Sequence, residues 1–391
     1  MTSALFDRGK FSRSPSLVLN LVIMFALLYI FLVGIDCLSS GIKANFKGVM
    51  DQYFSPDMNP VLALLVGILA TTLVQSSSVT TALIVGLVGS GEVAVAAAVP
   101  MIMGANIGTT VTNSIASLAH ASRDVEFRRA FSAATCHDFF NLLSVALLLP
   151  VELITRAIFG KGLLEGLSAT IAEWTVGASG ANYDSPIKAA FKAGRTVIQN
   201  AIEWIGLDGR VGNTALIIVG GLVILTSLTL IVKVMRGVVV RRLERYVNRF
   251  LGTGGPMAFV VGMLLTVMVQ SSSITTSTLV PLAGAGLLTL QQIYPITLGA
   301  NIGTTVTALL ASMAIDGDTA TAARQIALVH LLFNLMGILV WYVPKPVREI
   351  PLKMALWLAD LATQSKRWAV GYVFGVFYIL PAGIFFLSTL F

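Results

Sequence analysis

Long apolar runs, separated by short polar interruptions, organise this chain. Leu17 to Gly34 contains Asn20 as its one strongly polar residue, and Thr214 to Val232 and Ala369 to Phe391 read the same way. A helix needs roughly 20 such residues to cross the hydrocarbon core of a bilayer. Lipid offers no partner for an open backbone, so runs of this kind predict helices. The alternating segments of about ten residues that would predict a membrane barrel are absent. Other runs are shorter. Val61 to Val74 ends in Gln75-Ser76-Ser77-Ser78, and apolar residues resume at Ala82 and stop at Gly89-Ser90-Gly91. Two limbs this short predict a re-entrant hairpin rather than two spans. Ala94 to Leu118 is long enough to cross but is interrupted by Pro100, Gly104 and Gly108, which predicts a broken helix. Phe131 to Pro150 is uninterrupted.

The same pattern returns later in the chain. Val74 to Ser78 recurs as Val269 to Ser273, and Gly104 to Thr112 recurs unchanged as Gly299 to Thr307, both at a spacing of 195 residues. Val66-Gly67, Thr71, Gly89, Gly91 and Pro100 match Val261-Gly262, Thr266, Gly284, Gly286 and Pro295 at that spacing, and Arg129 matches Arg324. After a two-residue slip, His137, Phe140 and Asn141 match His330, Phe333 and Asn334. The chain therefore divides into an N-terminal tail and first membrane helix (1–55), a first repeat (56–155), a polar inter-repeat loop (156–212), a linking membrane helix and basic loop (213–249), a second repeat (250–345), and a C-terminal segment with the last membrane helix (346–391). The expected fold is an all-α polytopic membrane protein of two inverted-topology repeats, each with a re-entrant Gln-Ser-Ser-Ser hairpin and a broken helix. Transporters are often built this way, with the substrate held at mid-membrane between the repeats.

Composition agrees. Of 391 residues, 56% are hydrophobic and 12% charged, with mean hydropathy +0.85. That is about half the charged fraction of a soluble globular chain. The net charge of +7 is placed beside spans, not on a nucleic-acid face. Arg8, Lys10 and Arg13 precede the first run, and Lys233, Arg236, Arg241, Arg242, Arg245 and Arg249 follow another, as cytoplasmic loops do. A further basic stretch, 344–367, also reads as cytoplasmic. The apolar run near the N-terminus is too long for a signal peptide and lacks a small-residue cleavage site, so it is read as a membrane helix. No GxxxxGK loop is present, and two cysteines and three histidines have no metal spacing.

The interruptions carry the chemistry. Three hydroxyls and an amide are costly in hydrocarbon unless partnered. Serine hydroxyls donate as well as accept, and a broken helix presents a positive N-terminal end. Gln75, Ser76, Ser77 and Ser78 from one repeat, with Gln270, Ser271, Ser272 and Ser273 from the other, are thus expected to form a cage for an oxyanion such as phosphate. The second paired stretch supplies neutral oxygens around glycines that let a helix unwind, a setting for Na+. Its expected ligands are Asn106, Thr109, Thr110 and Thr112, with Asn301, Thr304, Thr305 and Thr307. Neither stretch holds Lys or Arg, so a bound dianion needs co-bound cations, which is a physical basis for coupling. His137 and His330 read as satisfied buried histidines. Asp138 is an ionisable group inside an apolar run, where function is the default reading, and its repeat position is Leu331. Arg129 and Arg324 read as interfacial anchors.

The paired QSSS and GANIGTT stretches, Phe127-Arg128-Arg129-Ala130-Phe131 and His137 to Asn141 resemble the type II sodium–phosphate cotransporter family. The likeness covers about 60–155 and 250–391. The resemblance implies symport of HPO4 2− with Na+ by alternating access, and no cofactor beyond Na+ as the coupling ion. It implies a substrate site formed by both QSSS hairpins and sodium ligands at Gln270, Thr304, Thr307 and their surroundings, with Asn141 and Asn334 included. It links Asp138 to an additional sodium and an electrogenic cycle. With about three Na+ per phosphate, one net charge moves, gaining about 2.3 kcal/mol per 100 mV. The chain departs from the family pattern at Arg123-Asp124, Ala105 and Ala300, and its short central loop without a cysteine pair implies a bacterial-type carrier of the inner membrane, multi-pass, whether monomer or homodimer. A carrier of another oxyanion, a channel, and an enzyme with an intramembrane serine are the competing classes. No serine pairs with His or Lys at recognisable spacing, and a channel does not need two hairpins meeting at an occluded site.

Overall fold

A computed structural model describes residues 17–45, 58–177, 186–250, 255–315, 317 and 319–388. The basic residues Arg8, Lys10 and Arg13 lie outside the described residues. Among the described residues every regular element is helical, and seven helices are long and apolar enough to cross a membrane.

The first hairpin is built from local signals. Helix α1 (Leu17–Asn45) precedes it. Helix α2 (Pro60–Val74) opens with Pro60 at its first position and with the Asn59 side chain accepting from the Val61 amide at 2.9 Å, a usual way to start a helix. It ends at Gln75, whose φ of 58° is left-handed. The chain then turns at Ser76 into α3 (Ser77–Ser90), with the Ser76 hydroxyl accepting from Val79 at 3.4 Å. The second limb thus starts at Ser77, not at Ala82 as the apolar pattern predicts. Serines in a first turn satisfy their own helix end and need not be loop.

Helix α4 (Val95–Gly108) and the short α5 (Val111–Ser117) follow, with the interruption at Thr109–Thr110. Helix α4 runs through both Pro100 and Gly104, so neither breaks it. The broken helix holds for the first repeat alone: its counterpart α12 is continuous from Leu290 to Met313, through Pro295, Gly299 and Gly303. The glycines serve close packing instead of unwinding. A Cβ on Gly67 would sit 2.1 Å from the Met101 carbonyl oxygen, and one on Gly104 would sit 2.0 Å from that of Leu64.

Helix α6 (Asp124–Phe159) follows, then α7 (Leu163–Gly177), α8 (Pro186–Trp204) and α9 (Gly209–Phe250). The stretch expected to be a polar loop or small surface subdomain, 156–212, is largely helical over its described residues, and the basic segment 233–249 continues α9. Hydropathy averaged over a two-faced helix hides its apolar face: α8 buries Phe191 and Ile202 and leans on α1, where Tyr29 donates to the Ala190 carbonyl at 2.9 Å and Arg195 pairs with Asp36 at 3.3 Å.

The second hairpin comprises α10 (Pro256–Val269) and α11 (Ser272–Gly284), joined at Gln270 with φ 57°. Helix α12 (Leu290–Met313) starts from a capping box of Thr289 and Gln292. Here too a Cβ on Gly262 would meet the Ile296 carbonyl at 2.0 Å, and one on Gly299 that of Phe259 at 1.9 Å. Helix α13 (Ala320–Trp341) completes the repeat. Helix α14 (Lys345–Gln364) buries Leu352, Ala355, Leu358, Ala359 and Ala362 against Phe127 and Phe131 of α6, so most of the basic 344–367 stretch is a packed two-faced helix, and Lys366 and Arg367 open the helix after it. The last helix begins as α15 (Lys366–Phe374), widens to a π turn over 375–379, and ends as α16 (Leu380–Ser388).

Candidate functional site

The two glutamines are the only non-glycine residues with positive φ among the described residues. A left-handed non-glycine residue costs on the order of 1 kcal/mol and is a frequent mark of a functional position. Each side chain offsets that cost in the same way. Gln75 Nε2 donates to the Thr72 carbonyl at 2.6 Å, and Gln270 Nε2 to that of Val267 at 2.7 Å. These carbonyls belong to the last turn of α2 and of α10, where the helix provides no donor. Each Oε1 accepts a threonine hydroxyl from the neighbouring helix: Thr112 onto Gln75 at 2.8 Å, and Thr307 onto Gln270 at 2.7 Å. The glutamine thus caps its own helix and clamps the hairpin tip to the paired GANIGTT segment.

Both tips open on one cavity of about 280 Å3. Gln75, Ser76 and Thr112 line it from the first repeat, and Gln270, Ser271, Ser273 and Ser277 from the second. Leu225, Leu228, Thr229 and Val232 of α9 supply the remaining wall together with Val74, Val79 and Ile274. Ser76 and Ser271 are the cap residues of α3 and α11, so two helix N-termini face the cavity with their partial positive charge. Among the described residues, no Lys or Arg lines the cavity. Ser77, Ser78 and Ser272 are buried in the first turns of these helices and do not line it.

The expected sodium ligands separate into four groups. Thr112 and Thr307 hold the glutamines. Asn106, Asn141, Asn301 and Asn334 form a buried network across the repeats. In it Asn141 donates to the Asn106 carbonyl at 2.7 Å, Asn301 to Asn141 Oδ1 at 3.0 Å, and Asn334 to Asn106 Oδ1 at 3.1 Å. His137 joins through Nε2 and Asn301 Oδ1 at 2.6 Å. Thr109, Thr110, Thr304 and Thr305 bond back to carbonyls of their own helices. Asp138 is buried, and its Oδ2 accepts from Ser114 at 3.1 Å and from Tyr372 at 3.0 Å.

Several participants carried no signal in the sequence. Tyr372 and Tyr378 of the last helix touch Asp138 and Gln75, the latter at 3.3 Å. Asn113 donates to Thr276 of the other repeat at 2.8 Å. The α9 wall lies in a uniformly apolar run, where no period marks the inward face. For Ser277, spacing alone was available: it stands one helical turn after Ser273.

The sequence matches the family described as Na+/Pi-cotransporter over residues 30–168 and 223–358. Sodium-dependent phosphate transport protein 2B of Homo sapiens is 32% identical, the match covering 94% of this chain and 65% of that protein. The 2A proteins of Rattus norvegicus and Ovis aries are 34% and 35% identical, each over 97% of this chain and 69% of theirs. The chain belongs to the Na+/Pi-cotransporter family. It spans about two thirds of the length of these relatives. No solved structure matches the sequence.

Proposed function

We propose that this chain is a sodium-coupled phosphate symporter working by alternating access between two inverted repeats. The observation that carries the reading is the single cavity lined by both Gln-Ser-Ser tips. Hydroxyl donors and two helix N-termini converge there, with no cationic side chain among the described lining residues. Such a site stabilises an oxyanion only in part, because partial dipole charges do not neutralise a dianion. Co-bound Na+ supplies the remainder, which makes the binding of each ion favour the other. The family match and the names of the relatives support Na+ and phosphate as the pair.

Gln270, Thr304, Thr305 and Thr307 with Asn301 and Asn334 are the proposed sodium ligands of the second repeat. Asn106, Thr109, Thr110, Thr112 and Asn141 are those of the first. Ser76, Ser271 and Ser273 contact phosphate in this reading, while Ser77, Ser78 and Ser272 shape the helix ends beneath it. The cycle is electrogenic, with about three Na+ per HPO4 2− and Asp138 holding the additional ion.

Competition tests the substrate. Unlabelled phosphate is expected to suppress uptake of labelled phosphate into proteoliposomes, whereas equal sulfate or succinate leaves it unchanged; suppression by succinate would contradict the assignment. Electrogenicity has its own test. With a potassium–valinomycin potential, inside-negative voltage is expected to stimulate uptake by the native chain. Asp138→Asn should keep sodium-dependent uptake and lose most of that stimulation. Equal stimulation in both proteins would remove Asp138 from the charge-moving step.

A further inference from the structure

A second cavity, of about 250 Å3, lies at the other end of α11. The first cavity takes Ser273 and Ser277 from this helix, and the second takes Ala283 and then Gly286 just beyond it. Helix α11 has 13 residues, a length of about 20 Å. Arg128, Arg129 and Ser132 of α6 and Thr289 before α12 are the polar lining of the second cavity.

The charges around it are unevenly matched. Arg128 is bound by Asp360 through two hydrogen bonds, which hold the Asp360 carboxyl below its usual range. Asp124 is taken by Lys366 at 2.9 Å, and Glu126 by Arg123 at 2.7 Å. No acidic group among the described residues pairs with Arg129. Its guanidinium lies over bare backbone: Nη1 is 2.5 Å from where a Cβ on Gly286 would stand, and Gly286 has φ +74°. A side chain at that position would displace the cation. Between the cavities α6 and α11 meet on Ala130, Ala134 and Val280, a buried contact of small side chains.

We propose that the Arg129 cavity is a second oxyanion site, a vestibule that collects phosphate on the face opposite the central cavity and hands it past the Ala130–Val280 contact. This rests on the phosphate-carrier reading. A guanidinium suits phosphate oxygens, through paired N–H donors. Free phosphate and an anionic lipid headgroup share that chemistry, and the vestibule takes the former.

The test uses full-length protein in proteoliposomes sorted for one orientation by a terminal tag, in phosphatidylcholine with or without phosphatidylglycerol. Half-saturating phosphate is measured at each face for the native chain, Arg129→Gln and Arg129→Lys. Arg129→Gln is expected to raise it roughly five- to tenfold at one face, the loss of about one charged hydrogen bond, and less than about twofold at the other. Arg129→Lys should retain most of the native value. Added salt should raise the native value at that same face alone, because an exposed cation is screened. Equal change at both faces, or none at either, overturns the vestibule. So does an effect confined to vesicles with phosphatidylglycerol, which assigns the pocket to a headgroup. Should Arg129→Gln fail to fold, the lysine variant and the salt series still decide. Absence of phosphate transport by the native chain would instead overturn the reading beneath it.

Discussion

Gln270→Ala is expected to lower uptake at subsaturating phosphate by about 30-fold or more. The native amide accepts from Thr307 at 2.7 Å and donates to the Val267 carbonyl at 2.7 Å, at a residue with φ 57°. Alanine keeps the left-handed strain and removes both offsets. It leaves a buried hydroxyl and a helix-end carbonyl to find other partners, at about 2 kcal/mol or more together, and each 1.4 kcal/mol is a factor of ten. Gln270→Gly separates the two contributions, since it relieves the backbone and still loses both bonds. It should transport poorly while melting no lower than the alanine variant. Thr307→Val should be deleterious alone and add little to Gln270→Ala, because the two act through one contact. Fully additive losses would show that the glutamine works independently of the clamp.

Gly299→Ala is expected to damage the fold itself. The added methyl would stand 1.9 Å from the Phe259 carbonyl oxygen, and two backbones would have to part to admit it. Overpacking of this kind costs about 3 kcal/mol, which for a chain of 391 residues corresponds to roughly 4 °C in the melting temperature of the detergent-solubilised protein. Gly262→Ala, with a contact of 2.0 Å, should behave alike. Gly221→Ala on α9, where a Cβ meets nothing within 4 Å, is the matched control and should melt as the native chain does. Wild-type melting of Gly299→Ala would mean that α10 and α12 are not held this close.

The 195-residue offset in the sequence locates both hairpins and both tips, because identical residues at one spacing survive any error in reading helix ends. It also exposes the serine and glutamine cluster as unusual for an apolar run. What the sequence hides is which atoms each residue uses. Glutamine is a poor choice for a left-handed turn by intrinsic preference, so nothing local foretells φ 57–58° at Gln75 and Gln270. The glycines of GANIGTT read as hinges, since glycine permits both unwinding and close approach. Only the position of the opposing helix shows that Gly299 serves approach, and α12 stays whole where α4 and α5 part. The polar 156–212 stretch illustrates the reverse difficulty. Lys192 and Arg195 alternate with residues that α8 buries, and mean hydropathy cannot separate a two-faced helix from a loop. Tyr372 and Tyr378 were invisible for a different reason: they reach Asp138 and Gln75 from 234 and 303 residues away, and no repeat partner marks them.

Uptake of radiolabelled phosphate into proteoliposomes under an imposed inward sodium gradient tests the central claim most directly. Accumulation above the external concentration is predicted, collapsing when an ionophore dissipates the gradient and absent when choline replaces Na+. Uptake that proceeds equally in choline, without accumulation, would contradict a sodium-coupled carrier.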